Sequence, residues 1–516
     1  MMMHHDAMGA IAWTQWVRGA GAVLLLGAVA YPGTAVAAVA PDVDDYLGGA
    51  EFAVQTGTTF YAWTGEGESI DVEFVRADVN ADVDADATVA VTDPEGENRG
   101  ECDIERDGKA KPCEFMDLTS PSAGVWQIAY RSKDDDRGVP ANWDIEVAAA
   151  GGPASGRVWT ESYRVYQDPG AGARIDLYYL SRLGFQYRAI YRGYNGLWSQ
   201  FEAGVAGLTH ADTCEPINHS TGGMKGDFNT DLAACGQYKV FFDEPAPDLP
   251  ESASVAGGEE TWLLNPVREA SLGDVEYRPA DAHSVMGDLV VTVTDHQGTV
   301  DVELDLNGDG DFGDEVDRTI TWGVSVTGTQ QVVVPWDGLA GNEKRVRNDR
   351  SFNVRATIDR VGTIYFVNSD VEGRSGGIEV EYLNGPEAGE QMVYWDDAPE
   401  PDKEDAADQS GEIDSFGGAR SWDFGMNSWG NDRRIQEWAY ADADIETETV
   451  EFVTPPRPPK DSADAAAAAP WWRGPFGWVA LVGAFTSMIG LGILLLFSRR
   501  SSRRDGGEKS QLPGLS

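Results

Sequence analysis

The sequence predicts an all-β chain ending in one membrane-spanning helix, and three observations carry that prediction. Its apolar residues come in short runs that alternate with polar ones, as in 70–75 (IDVEFV) and 300–304 (VDVEL), the period of a strand with one buried face. Glycine numbers 60 and Trp and Tyr 17 each, a balance that favours turns and aromatic-rich strands over long helices. The exception is 476–497 (FGWVALVGAFTSMIGLGILLLF), 22 residues without a charge.

As an α-helix at ~1.5 Å per residue that run is ~33 Å long, the thickness of a bilayer's hydrocarbon core. Trp471 and Trp472 flank it on one side, suited to the headgroup interface. Arg499, Arg500, Arg503 and Arg504 follow on the other and mark the cytoplasmic side by the positive-inside rule. The N-terminus agrees: Arg18, the apolar run 20–30 (AGAVLLLGAVA) and Ala35-Val36-Ala37 have the order of a secretory signal peptide, with cleavage after Ala37. The chain is therefore expected in the plasma membrane as a single-pass type I protein, its bulk extracellular and 498–516 a basic cytoplasmic tail.

The formal net charge of −47 excludes a polyanion as the natural partner, so no nucleic acid is expected. Between the two ends about 430 residues remain, enough for three or four domains at ~100 to 150 residues each. The first, 41–148, holds strands at 59–64, 70–75 and 143–147 and a turn followed by a strand within 120–130. Its acidic stretch 78–86 (DVNADVDAD) offers alternate oxygens but has Val83 where a tight ion-binding turn wants Gly. A Gly/Pro/Ala/Ser linker at 149–156 leads to a second domain, 156–247. There Phe185, Tyr187, Ala189 and Tyr191 fall on one face of a strand and Gln186, Arg188 and Arg192 on the other, after a turn at 181–184. A third, 255–385, continues with short strands near 332–338, 351–358, 365–367 and 377–383, the regular spacing of an Ig-like sandwich. A β-extension or small fourth domain at 390–452 and a Pro/Ala/Asp linker at 453–475 complete the extracellular part.

The four cysteines form two close pairs, Cys102 with Cys113 and Cys214 with Cys235. An even count in an exported chain predicts disulfides, and local pairing is the simplest of three connectivities. Zinc is the rival for the second pair, since His210, Asp212 and His219 surround Cys214, but a C-x2-C spacing is missing.

The best chemical motif follows the strand at 300–304: Asp305-Leu-Asn307-Gly-Asp309-Gly310-Asp311-Phe-Gly-Asp314-Glu315. Oxygen-bearing side chains at positions 1, 3 and 5 with Gly at 6 let a chain wrap a hard cation that takes six to eight oxygens. Asp305, Asn307 and Asp309 are the expected first calcium ligands, Asp311 gives its carbonyl, and Asp314 or Glu315 closes the site, because position 12 is Val316 rather than Glu. A structural calcium ion is the expected cofactor.

Three resemblances accompany these residues. SPSAGVWQIAY at 120–130 resembles the jelly-roll-like accessory domains beside bacterial secreted peptidases, and the DxNxDG loop resembles calcium loops of extracellular bacterial β-domains. SWGNDRRIQEWAY at 428–440, with Trp422, resembles the W-G-N-x-R-x-I-x-x-W ending of actinobacterial adhesin-like surface proteins with repeated β-domains. That resemblance implies three or four tandem Ig-like or jelly-roll-like sandwiches and a role in adhesion, surface binding or envelope structure, with a cell-wall polysaccharide or surface protein as ligand. Within the ending, Trp429, Ile435 and Trp438 are expected to anchor a strand, and Arg433 or Arg434 to pair with the VYWDD segment at 393–397. Tyr194, Trp198, Trp429 and Trp438 stay open between core and ligand-facing roles. Neither H-E-x-x-H nor a P-loop occurs, so an enzyme is not expected. An extracellular hydrolase with accessory β-domains and a membrane-tethered envelope assembly factor are the alternatives.

Overall fold

The structure is a computed structural model that describes residues 52–458 except 79–84, 106–110, 121, 134–137, 211–212, 225, 227 and 400–409. The signal peptide, most of the acidic 78–86 stretch, the linker beyond 458, the 476–497 span and the tail lie outside the described residues. Among the described residues no helix is long and apolar enough to cross a membrane, and the one helical turn is the 3-10 segment Leu232–Cys235. All else is strand and loop: sheets of fourteen, twelve, three and two strands, antiparallel except for the Val255 to Val125 pairing.

The alternating segments form strands with the expected faces. Ser69–Arg76 buries Ile70, Val72 and Phe74 and leaves the residues between them half-exposed. Gln186–Asn195 buries Tyr187, Ala189 and Tyr191 and leaves Arg188 and Arg192 half-buried, and the turn before it closes through the Gly184 amide on the Ser181 carbonyl. Three aromatic cores lie between facing sheets. Phe60 meets Trp143 at 4.2 Å and Phe74 at 6.0 Å in the first. Tyr179 meets Phe366 at 5.1 Å and Tyr187 meets Tyr382 at 5.0 Å in the second. Tyr277 and Trp336 each meet Phe352 at 5.3 Å in the third.

These cores are strung along continuous sheets. Val158–Thr160 pairs with Thr59–Thr64 on one side and Lys239–Phe241 on the other. Ser199–Gly204 joins Tyr163–Tyr166 to Ser351–Ser369, and Gln186–Asn195 pairs with Ile378–Tyr382. The sheets therefore run across the linker at 149–156 and the Pro-rich stretch after 242, and every described residue falls in one compact unit. Turn-rich composition marks where the chain leaves a strand, and it does not report which distant strand lies beside it.

The connecting element is Ser351–Ser369, one strand of 19 residues where two separate short ones are expected from the sequence. At ~3.3 Å per residue it reaches up to ~60 Å. Its first half alternates, burying Phe352, Val354, Ala356 and Ile358 in the third core, and its second half is buried throughout. Phe366 enters the second core, while Val367 packs with Leu208 and Leu232 on the opposite face. The switch falls at 358–364, where pairing with Arg434–Glu446 shifts register twice. Gly362 stands there at φ 64°, and a Cβ would meet the Phe185 ring at 2.5 Å, so both backbone and packing require glycine.

Both disulfides form as local pairs. Cys102–Cys113 joins an edge strand of one large sheet, Asn98–Ile104, to an edge strand of the other, Cys113–Thr119, and so closes the open side of the first sandwich. Cys214–Cys235 fastens the segment that covers Val367, and its covalent bond removes the thiolate a zinc site would need.

Beside the strand switch, His296 lines a small cavity with Phe185, Tyr238, Val361 and Gly362. It is 1% exposed, and Nε2 donates to the Thr299 carbonyl at 2.9 Å. Burial pushes its pKa down to about 4, against the smaller raising effects of the Thr299 bond and Asp359. The unfolded chain takes up this proton near pH 6.5 and the folded chain only near 4. Its neutral form thus contributes stability above pH 6.5 that is lost as pH falls through this window. Urea denaturation of His296→Gln and the parent should show the parent losing about 2–3 kcal/mol more between pH 7 and 4. Parallel pH profiles would remove His296 as the cause.

Candidate functional site

The 305–317 loop leaves the strand Gln297–Asp305 and returns in Arg318–Ser325, with strands on both sides as expected. Asp305 is fully buried at its root. One carboxylate oxygen accepts the Gly308 amide at 2.6 Å, and the other accepts the Gly310 amide at 2.9 Å and Asn353 Nδ2 at 2.8 Å. Burial alone would raise this carboxyl, but the bonds from Asn353 and the loop amides outweigh it and hold it below the usual carboxylate range. Asn307 takes the Asp309 amide on its oxygen at 2.9 Å, and Asp309 in turn takes the Asp311 amide at 2.9 Å. The loop is thus a ladder of side-chain caps on its own backbone.

Asn307 Nδ2 stands between two carboxylates, 3.0 Å from Asp309 and 2.8 Å from Asp314. The amide group thereby offsets part of the repulsion between the two carboxylates. As placed, no three His, Cys, Asp or Glu side chains among the described residues are gathered to hold a metal. Asp309, Asp311, Asp314 and Glu315 are exposed.

The sequence reading missed Asp317. It is 6% exposed, accepts the Leu306 amide at 2.8 Å and the Asp314 amide at 3.1 Å, and so ties the loop's exit to its entrance. Burial, with Asp305 and Asp314 close by, raises its carboxyl. The signal was present as an acid one place beyond position 12, but only loop closure shows it turned inward while Glu315 faces solvent.

A second constellation lies in the 390–440 region. Asp397, the last residue of VYWDD, is held by Arg420, whose Nε donates at 3.0 Å to one oxygen while Nη2 donates to the other. Arg420 Nη1 also reaches Glu437 at 2.7 Å, and Glu437 accepts from Arg374. All four side chains are at most 5% exposed, and their formal charges cancel. Arg374 stacks over Trp422 at 4.6 Å and Arg420 over Trp429 at 4.9 Å. Glu437 would be raised by burial, but the two guanidinium groups prevail and hold it below the usual range.

The expected partnership of Arg433 or Arg434 with VYWDD is corrected here. Arg434 faces Glu202 at 3.8 Å, and Arg433 packs over Trp429 at 5.0 Å. Arg434 and Glu437 are an odd number of places apart on the strand and so point to opposite faces, the inward one being that of Glu437. Tyr194 and Trp429 are core, Trp438 is half-buried against Tyr365 at 5.7 Å, and Trp198 is exposed. This network is neutral and buried, and it ties the 390–440 region to the core.

The fold and these two constellations define an all-β protein with an acidic surface loop capped on its own backbone and a buried ionic core. Among known proteins, no family model matches the chain and no curated sequence aligns with it significantly.

Proposed function

We propose that this chain is a membrane-anchored cell-surface binding protein that acts in adhesion or envelope structure, with a β-built extracellular part stiffened by calcium. The observation that carries the reading is the pairing of a leader ending in Ala35-Val36-Ala37 with a 22-residue apolar run stopped by four arginines. Two formed disulfides and the absence of free cysteine support an oxidising exterior. The Asp305 to Asp317 loop supports calcium, because its buried caps hold the backbone ready while Asp309 and Asp314 keep carboxylates in solvent.

The test is co-sedimentation of the full-length chain, in mild detergent, with purified bacterial cell walls. Pelleting in millimolar calcium that a chelator abolishes is the expected result. Absence of pelleting in both conditions would overturn wall binding and direct the search to protein partners.

A further inference from the structure

The strand Ser351–Ser369 gives the folded unit two distinct ends. At one, Ser351 pairs with Val453, Thr454 Oγ1 donates to the Arg347 carbonyl at 3.0 Å, and Asn348 Nδ2 donates to the Pro455 carbonyl at 3.0 Å. The chain continues to its C-terminus from there, and the Asp305 loop is anchored beside it through Asn353. At the other end Ser369 opens into a turn that collects loops from three parts of the sequence.

Glu372 is the tie. Its carboxylate accepts the Leu197 amide at 2.8 Å and its carbonyl accepts the Gly425 amide at 3.0 Å. Phe424 crosses Gly373 so closely that a Cβ at 373 would meet the Phe424 Cα at 2.8 Å. The residues beside these tie points are large, apolar and exposed: Trp198 at 39%, Phe424 at 39% and Met426 at 58%. Trp198 is held in place by Tyr166, 4.6 Å away, and by the backbone at Gly138.

The surrounding charge is acidic. Asp423 and Asp432 are exposed, and the Asp432 amide donates to Asp370 at 2.8 Å, which brings Asp370 and Asp432 together. Burial first, then Asp370 and Asp432, push the Glu372 carboxyl up to about 7, so the tie itself feels their field. The nearby arginines are engaged elsewhere: Arg374 with Glu437, Arg434 with Glu202, Arg433 over Trp429.

We propose that Trp198, Phe424 and Met426, framed by the exposed Asp423 and Asp432, form a docking face for a basic polypeptide segment that carries apolar residues between its lysines or arginines. Aromatic faces attract cations, a thioether adapts to varied apolar side chains, and the carboxylates supply complementary charge. A neutral saccharide would stack on Trp198 and leave the exposed Asp423 and Asp432 carboxylates unmatched. The face lies at the far end of the long strand from the chain's exit, where a tethered binder must present its contacts. This inference rests on the surface-binding reading and names its site.

The test uses full-length protein in nanodiscs at about 0.15 M salt, where long-range attraction is screened beyond ~8 Å. The probe is a short fluorescein-labelled peptide alternating lysine with leucine and serine, followed by anisotropy, with a glutamate version and a neutral glucan as comparators. Binding of the basic peptide alone is expected, weakened about tenfold or more by Trp198→Ala and by Asp423→Lys at unchanged melting temperature. Trp198→Ala leaves the formal charge at −47, and Asp423→Lys moves it only from −47 to −45, so attraction by the whole acidic surface predicts almost no change in either. Equal affinity in parent and variants, no binding of the basic peptide, or Trp198-dependent binding of the glucan instead would each overturn the proposal. Wall pelleting that survives Trp198→Ala would keep the surface-binding reading and remove this site from it.

Discussion

Arg420→Ala is expected to destabilise the folded chain by about 3–5 kcal/mol, the usual consequence of removing one partner from a buried ion network. The guanidinium serves two acids, Asp397 through two nitrogens and Glu437 through the third, and none of these side chains reaches water. Without it, Glu437 keeps Arg374, whereas Asp397 is left with the Ser220 hydroxyl and must either stay charged in the interior or take up a proton. The Trp429 ring also loses a stacked cation 4.9 Å away. Arg420→Lys should fall between, since an ammonium retains the charge and loses the planar fork. Chemical denaturation measures the change, and a loss below about 1 kcal/mol for Arg420→Ala would mean that the network does not hold the 390–440 region in place.

Asp305→Ala is the second large effect, expected to cost about 2–4 kcal/mol without any ion present. Three donors, the Gly308 and Gly310 amides and Asn353 Nδ2, converge on this buried carboxylate and would lose their acceptor together. Asp309→Ala removes an expected ion ligand together with a single exposed cap, the one on the Asp311 amide. That side chain is exposed, so its removal should change stability by less than about 1 kcal/mol in chelator. In calcium the parent should gain about 1.4 kcal/mol at a concentration ten times the dissociation constant, and Asp309→Ala should gain nothing. Equal calcium response in the parent and Asp309→Ala would exclude this loop as the ion's site, and equal stability of Asp305→Ala and the parent would exclude the capping role.

Much of the local structure was legible because it depends on near neighbours. The alternation at 70–75 and 186–191 identifies both strand and buried face, and the 181–184 turn, the two cysteine pairs and the Asp305 caps all close within about 20 residues. The misses are long-range. Arg420 gives little local sign of its role beyond a neighbouring Trp422, since Asp397 is 23 positions away and Arg374 is 46. Asp317 reads as one more acid in an acidic loop until the backbone closes and turns it toward Leu306.

By itself the sequence determined the all-β class, the strand faces, the loop chemistry around Asp305 and the expectation of export and anchoring, because each follows from periodicity, apolar length or short-range spacing. Tertiary structure alone decided that Ser351–Ser369 serves two cores, that the large sheets run through the turn-rich boundaries, and that Arg420 rather than Arg433 or Arg434 holds Asp397. The physical reason is that a strand's backbone donors and acceptors take any strand whose buried face matches, so partner choice depends on how distant side chains pack together and not on the pattern within either strand.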